Sequence, residues 1–552
     1  MPKSPYTANP MQLLDRDIHQ AKAMIIDGNA TSRSVMAAQL RDLGVQNVRQ
    51  VSRVQDARLV LEQQPHDIVL CEMNFEGAPM SGQDLLDELR REQLLPPSTA
   101  FILVTGVATY AQVMEAAEAT VNGYLVKPYS AAVLAERLTE VRRRKRSLKP
   151  LYDAMRAGDP AQAAQVAQQR FEARESYWNF AAQASAELWL RADQPDRALA
   201  VCNAVQAEKP QGWAKAGIAR ARLAKGELAA ARRQLEALVA EDPGYADAHD
   251  LLARVLVEQG EFGPALAALR TASSLTPGCL LRLQHRGALA FYQGEKDEAV
   301  QQIERAVSLG RKSKLFDLTS LLLLGLLKHD LRDPRGFGAV LDQVNGLAGA
   351  DPESARLQRI RQLLTALAAL QARRVDEALA TARALAADVM APGFDLEAAA
   401  LTVSLWVRLP EAEVDARELD AMLRAAALRF CVSKASTEML AAAADGREAV
   451  AEIVRNCHTV VSNLAEQALN KSLKGQAAAA VDMLLEQGGH TRNAKLIDMA
   501  VAVARRHAEH VPDIDTVQQR AKALQDSFCA PLTHLAGVRR SARMPGGVVL
   551  RT

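Results

Sequence analysis

The stretch Asp67-Ile68-Val69-Leu70-Cys71-Glu72-Met73-Asn74 is a short apolar run that ends on an acid. A run of this length and composition reads as a strand buried on both faces, and such strands belong to parallel sheets covered by helices. Four similar runs surround it, at residues 23–26, 48–51, 100–105 and 123–126. Amphipathic segments alternate with them at about 30–43, 54–64, 82–92, 110–119 and 131–148. The alternation predicts an α/β domain with a five-stranded parallel sheet over residues 22–148, behind an N-terminal extension of residues 1–21.

With 552 residues the chain is too long for one core. Aromatic residues make up only 4% and Ala and Leu abound, which favours close-packed helices in the remainder. The 67 basic and 65 acidic groups nearly cancel, so any attraction for nucleic acid or a charged membrane would have to be local. Six scattered cysteines without a Cys-x-x-Cys pair argue against structural zinc and against a disulfide framework. No apolar run approaches 18 residues, and residues 1–20 lack the pattern of a signal peptide. A cytoplasmic protein without membrane contact is expected.

Open parallel sheets carry their sites at the carboxyl ends of the strands. Those ends present Asp27, Glu72, Thr105 and Lys127, two carboxylates, a hydroxyl and an ammonium. Four motifs occur in order: Ile-Ile-Asp-Gly-Asn (25–29) with Arg33, Glu-Met-Asn (72–74) followed by Ser81-Gly82, Val-Thr-Gly (104–106), and Gly-Tyr-Leu-Val-Lys-Pro-Tyr (123–129). In these motifs the stretch resembles the flavodoxin-like receiver domain of bacterial response regulators, of the chemotaxis type. The resemblance implies that an acidic pair after the first strand and an aspartate after the third hold magnesium, and that this aspartate takes a phosphoryl group.

The chain departs from that pattern at both places. Gly28 fills the second position of the acidic pair, leaving Asp27, Gly28 and Asn74 as a degenerate acidic pocket. Glu72 fills the phosphoacceptor position and carries its carboxylate outward by one methylene, about 1.5 Å. Magnesium tolerates little deviation from octahedral geometry, so its binding should be weak or absent, and no other cofactor is expected. Phosphoryl transfer depends on positioning and charge neutralisation, and both are compromised. The 72–82 loop also looks about two residues longer than usual, with Glu76 where proline is common. By the resemblance, Thr105 and Lys127 would grip phosphoryl oxygens and Tyr124 would be the aromatic switch. A Glu72 carboxylate reaching Thr105 and Lys127 would partly imitate a phosphorylated aspartate. The competing reading is an ion-pair cluster that only supports the fold.

Beyond the sheet, Arg142-Arg143-Arg144-Lys145-Arg146 lies on the last helix of the domain and reads as a solvated hinge opening a helical linker over 149–176. From there every window carries helical periodicity. Ala231, Ala265 and Ala299 recur at 34 residues, as do Gly226, Gly260 and Gly294. The period and the residues Leu252, Phe262, Ala272 and Pro277 resemble tetratricopeptide (TPR) repeats, which implies an all-α TPR superhelix whose concave groove holds a protein segment. Repeats are expected over 177–312, degenerate repeats over 313–532 and a flexible tail over 533–552; a separate helical bundle at 395–508 is the alternative for part of this region. His507 and His510, three apart, read as a polar surface pair rather than metal ligands. Adjacent Cys457 and His458 diverge on a helix and define no site.

These features predict a non-enzymatic, atypical response regulator with no catalytic residues and no metal site. It would act by protein–protein binding through the repeats, with a histidine kinase, a second receiver or a second copy of itself as partners. A phosphorylated receiver in a phosphorelay is the alternative. A nucleic-acid-linked regulator using Arg142–Arg146 and the tail residues Arg539, Arg540 and Arg543 ranks last, because no DNA-reading module follows.

Overall fold

Strands β1 (Lys22–Ile26), β2 (Asn47–Val51), β3 (Ile68–Glu72), β4 (Ala100–Thr105) and β5 (Gly123–Val126) form one parallel sheet in the order β2-β1-β3-β4-β5. In this computed structural model the described residues are 18–75, 81–91, 95–96, 98–106, 123–275, 277, 279–310 and 316–529, with the backbone of 534–535 and 538–539. Helices α1 (Ala30–Asp42), α2 (Val54–Gln63), α3 (Gly82–Arg91) and α4 (Ala131–Ser147) cover the sheet. The expected helix at 110–119 and Glu76 in the 72–82 loop lie outside the described residues. The central strands are apolar because both faces are covered. Met24, Ile26, Val69 and Cys71 join one core with α2 and α3, while Ala23, Ile25, Ile68 and Leu70 join the other with α1 and α4.

The rest of the described chain is helical apart from one short strand pair. Seven hairpins follow: α5–α6 (Lys149–Arg156, Pro160–Glu172), α7–α8 (Trp178–Arg191, Pro195–Glu208), α9–α10 (Gly212–Ala224, Leu228–Glu241), α11–α12 (Ala246–Glu258, Phe262–Leu275), α13–α14 (Leu280–Tyr292, Lys296–Gly310), α15–α16 (Thr319–Asp330, Pro334–Ala350) and α17–α18 (Ala355–Gln371, Val375–Ala387). Each turns on a left-handed residue, which glycine adopts freely. Gly226, Gly260 and Gly294 fill the turns of the repeats legible in the sequence; Arg332 (φ 55°) and Arg373 (φ 61°) fill the next two. The repeat signal fades beyond residue 313 because the punctuating glycine is gone while the turn remains.

Ala265 is fully buried where α12 meets its neighbours. Ala265→Leu is therefore expected to overpack the contact and to cost about 1–3 kcal/mol, read as a lowered urea midpoint of the helical region.

Three expectations are corrected. Residues 149–176 are no spacer: Leu148, Leu151, Tyr152, Ala163, Ala164 and Phe171 enter the same core as α7 and α8, so α5–α6 is the first hairpin of the array. The basic run is no solvated hinge either. The Lys145 side chain is buried with its ammonium 4.6 Å from the Tyr152 ring centroid, Arg144 lies over Phe180 at 5.6 Å, and Arg143 Nε donates to Tyr177 Oη at 3.0 Å. Three of the run's five cations, Arg143, Arg144 and Lys145, are thus held by aromatic faces and a phenol supplied by α5 and the start of α7.

The third correction concerns the groove. Helices α19 (Leu396–Trp406), α20 (Ala416–Phe430) and α21 (Lys434–Ala442) continue the stack. All 11 residues of α19 are buried, as are Thr319 to Leu327 of α15. A helix buried all round has no face left to line an open groove. The array curls until α21 meets α11, where a side chain at Gly260 would stand 3.3 Å from Lys434 Cβ. One apolar core runs from α11 to the start of α22 (Glu448–Leu473). Between α11 and α21 the inner surface is filled by the chain itself. A second core begins at Val461 and gathers the end of α22 with α23 (Ala477–Thr491), α24 (Ala494–Arg506) and α25 (Ile514–Phe528). The 395–508 region thus divides: its first part extends the stack and its last part forms a bundle.

A two-residue pair, β6 (His534–Leu535) and β7 (Val538–Arg539), lies within the stretch expected as a flexible tail, with β6 against α21. Arg540 and Arg543 lie outside the described residues.

Candidate functional site

The parallel register brings four strand ends to one edge of the sheet. Asp27 follows β1, its amide donating to Val51 O at 3.2 Å, Glu72 closes β3 opposite Val104, Thr105 closes β4, and Lys127 follows β5 with its amide donating to Thr105 O at 2.7 Å. Asp27 and Thr105 are almost completely buried.

At the centre stands the Lys127 ammonium. It donates to Asp27 Oδ2 at 2.7 Å and to Glu72 Oε2 at 2.6 Å, bridging the two carboxylates. Burial alone would lower its pKa, but the bonds to Asp27 and Glu72 outweigh burial and hold it above the ordinary lysine value. It stays charged through the physiological range.

Each carboxylate has further donors. Asp27 Oδ1 accepts from the Asn29 amide at 2.7 Å and Oδ2 from Ser32 Oγ at 2.7 Å, while Arg33 Nη1 donates to the Asp27 and Gly28 carbonyls. Asn29 itself caps α1 by accepting from the Ser32 amide at 3.0 Å, which explains why the helix starts beside the site. Glu72 Oε1 turns back to the amides of Met73 (2.9 Å) and Asn74 (3.4 Å). Asn74 therefore contributes its backbone, and its side chain is exposed. Ser32 was not among the sequence candidates; its signal is its place in the first turn of the helix that opens from the Asp27 loop.

The residues present do not fit a magnesium ion. Gly28 offers no ligand, and Asp27 and Glu72 each already accept three hydrogen bonds at about four lone-pair positions, one of them from a competing cation. The imitation of a phosphorylated aspartate is also only half realised: Glu72 reaches Lys127, but its second oxygen folds back onto its own strand end rather than toward Thr105.

Tyr124 lies half-buried, with its hydroxyl 3.9 Å from Met73 Sδ. Burial raises its pKa, partly offset by a hydrogen bond with Thr105. The ring is thus tied to both the Glu72 strand end and the Thr105 strand end. Cys71, behind Glu72, is fully buried, and burial among carboxylates pushes its thiol well above the usual range, leaving it unreactive.

Gly82 opens α3 where the loop returns to β3. Its amide donates to Met73 O at 2.9 Å, and an added Cβ would collide with the Glu72 carbonyl and stand 2.8 Å from Cys71 Sγ. Gly82→Ala is expected to displace the Glu72 strand end and to destabilise the α/β domain by about 1–3 kcal/mol, read by urea unfolding. Wild-type stability in that variant would show that the loop gives way freely.

Of the other sequence candidates, His507 and His510 have ring centroids 6.5 Å apart, and His507 Nε2 lies 3.3 Å from Ser472 Oγ. Cys457 is buried, and His458 Nδ1 lies 3.3 Å from the Cys431 carbonyl.

A model of the response regulator receiver domain matches residues 23–139, and a tetratricopeptide repeat model matches residues 222–290. The chain is 36% identical over 120 residues to chemotaxis protein CheY-3 of Vibrio cholerae, covering 22% of this chain and 90% of that protein. It is 35% identical over 120 residues to chemotaxis protein CheY of Pseudomonas aeruginosa, covering 22% of this chain and 94% of that one. Through residues 23–139 the chain belongs to the response regulator receiver family. Among solved structures, it is similar to CheY4 of Vibrio cholerae, with 21% identity, a TM-score of 0.20, and coverage of 22% of this chain and 98% of that one. A tetratricopeptide repeat protein from Parabacteroides merdae gives 14% identity and a TM-score of 0.35, covering 52% of this chain and 99% of that chain. The molecule is a response regulator receiver fused to TPR repeats. Among the described residues, no helix is long and apolar enough to cross a membrane.

Proposed function

We propose that the protein is an atypical response regulator that signals by binding and release, without a phosphorylated intermediate and without enzymatic activity. The observation that carries this reading is the Lys127 ammonium bridging Asp27 and Glu72, beside Gly28 where a second acid would be needed. Charge balance that phosphorylation and magnesium would otherwise set is built into the fold by three side chains. Tyr124, tied to Thr105 and Met73, carries the state of this cluster toward the surface beside β5. A histidine kinase, a second receiver or a second copy of this chain would bind that surface in the cytoplasm. Because the array is filled between α11 and α21, protein segments would bind its outer faces or the hairpins from α5 to α10.

Calorimetric titration of the full chain with magnesium tests the reading. The expected result is no saturable heat at millimolar metal. Saturation below that concentration would overturn it.

Retention of Thr105 and Lys127 at the strand ends supports a second reading, a phosphorylated receiver in a phosphorelay with the repeats as output. It requires Lys127 to leave Asp27 when metal enters, so it predicts the opposite calorimetric result.

A further inference from the structure

The last three helices carry a cleft that the receiver chemistry does not use. Its volume is about 540 Å³, and its walls are one face of α23 and one face of α25, with α24 behind. From α23 come Glu486, Gly489 and His490, from the turn after it Arg492, and from α25 Arg520, Ala523, Leu524 and Ser527. The α25 residues recur at three and four positions, the spacing of a single helix face. Gly489 faces Leu524, whose Cδ1 would stand 3.9 Å from a Cβ at that position.

The charges in the cleft do not cancel. Among the described residues no carboxylate lies within ion-pair distance of Arg492 or Arg520, and Glu486 pairs with neither. Arg492 is held by stacking: its guanidinium carbon lies 4.7 Å from the centroid of the Phe528 ring. Stacking fixes the plane of the fork and leaves its N–H edge for an acceptor. Arg429 also stacks on Phe528, at 5.4 Å, while giving its own N–H groups to the carbonyls of Val389, Ala391 and Phe394. Two guanidinium groups therefore share one ring with no acid bound to either, a repulsion that an anion at Arg492 would relieve.

We propose that this cleft binds a phosphoryl group carried on a small organic molecule. Two guanidinium forks and the His490 imidazole suit a multiply charged tetrahedral anion with several acceptor oxygens better than a single carboxylate. The volume exceeds that of phosphate alone and lies in the range of small-molecule sites. Ala523 and Leu524 offer an apolar wall to the organic part, and Glu486 accepts from its hydroxyl groups. The Ser527 hydroxyl already donates to Ala523 O at 2.8 Å, so it serves only as an acceptor.

The test is calorimetric titration of the full chain with ribose 5-phosphate, inorganic phosphate and ribose at matched ionic strength. Ribose 5-phosphate is expected to bind more tightly than inorganic phosphate, and ribose not to bind. Arg492→Gln and Arg520→Gln should each weaken binding about tenfold, as expected for loss of one charge-assisted fork. Arg505→Gln, exposed on α24 and outside the cleft, should leave it unchanged. Should Arg492→Gln unfold the bundle, the exposed Arg520 carries the test by itself. The proposal is overturned if neither phosphate binds at millimolar concentration, or if both bind equally well to Arg520→Gln and wild type.

Discussion

Gly28→Asp combined with Glu72→Asp is expected to take up a phosphoryl group measurably from a small phosphodonor with magnesium, where the wild type is expected to take up none. The first change restores the missing metal ligand, and a side chain at Gly28 would find no atom within 4 Å of its Cβ. The second withdraws the acceptor carboxylate by about 1.5 Å, so that it no longer folds back onto the Met73 amide. Thr105 and Lys127 are already at the neighbouring strand ends. Glu72→Asp alone should recover much less, because Lys127 would still compete with magnesium for the one remaining acid of the pair. Intact mass after incubation distinguishes the variants, and full uptake by the single substitution would show that Gly28 is not limiting.

Arg408→Ala should be the most damaging single truncation in the helical region. The Arg408 guanidinium forks onto Asp330, with Nε to Oδ1 at 2.8 Å and Nη2 to Oδ2 at 2.7 Å, and both side chains are more than nine-tenths buried. Lys296 and Asp445 complete the cluster, which ties α14, α15, the segment after α19 and the turn before α22. Removing the arginine leaves the buried Asp330 carboxylate with Lys296 alone, at 3.3 Å, at a cost of about 3 kcal/mol, the low end for a broken buried pair. Urea unfolding measures it, and a loss under 1 kcal/mol, at about the level of an exposed pair, would show that the cluster does not hold the curl closed.

The same cluster sets a pH dependence. Burial would raise the Asp330 pKa, but the Arg408 and Lys296 partners outweigh it and leave the value depressed. A carboxyl depressed in the folded state contributes stability that is present above its unfolded value, about 3.9, and is lost as pH falls through the folded value. The wild type should therefore lose stability in that acid window more steeply than Arg408→Ala.

The sheet was legible almost residue by residue, because strands buried on both faces must be continuous apolar runs, and β1, β3 and β4 show it. The four strand ends could be read as one place because parallel register fixes which residues share an edge. Ser32 escaped that reading, since a hydroxyl five residues beyond Asp27 gains meaning only once Asn29 starts the helix there. Lys145 looked solvated because its run contains no aromatic residue; Tyr152 and Phe180 reach the run only after α5 and α7 fold back. Closure of the groove was hidden for a similar reason. Asp330 and Arg408 are 78 residues apart, and no local period links them. One signal was present locally: residues 396–406 hold a single charged residue, Glu397, as a helix buried on every side requires.

The central claim is that the receiver does not become phosphorylated, and the most direct measurement is the intact mass of the wild-type chain after incubation with a small phosphodonor and magnesium. An unchanged mass is predicted, because Lys127 holds both carboxylates and Gly28 supplies no third. A stable gain of one phosphoryl group that is abolished by Glu72→Ala would contradict the account.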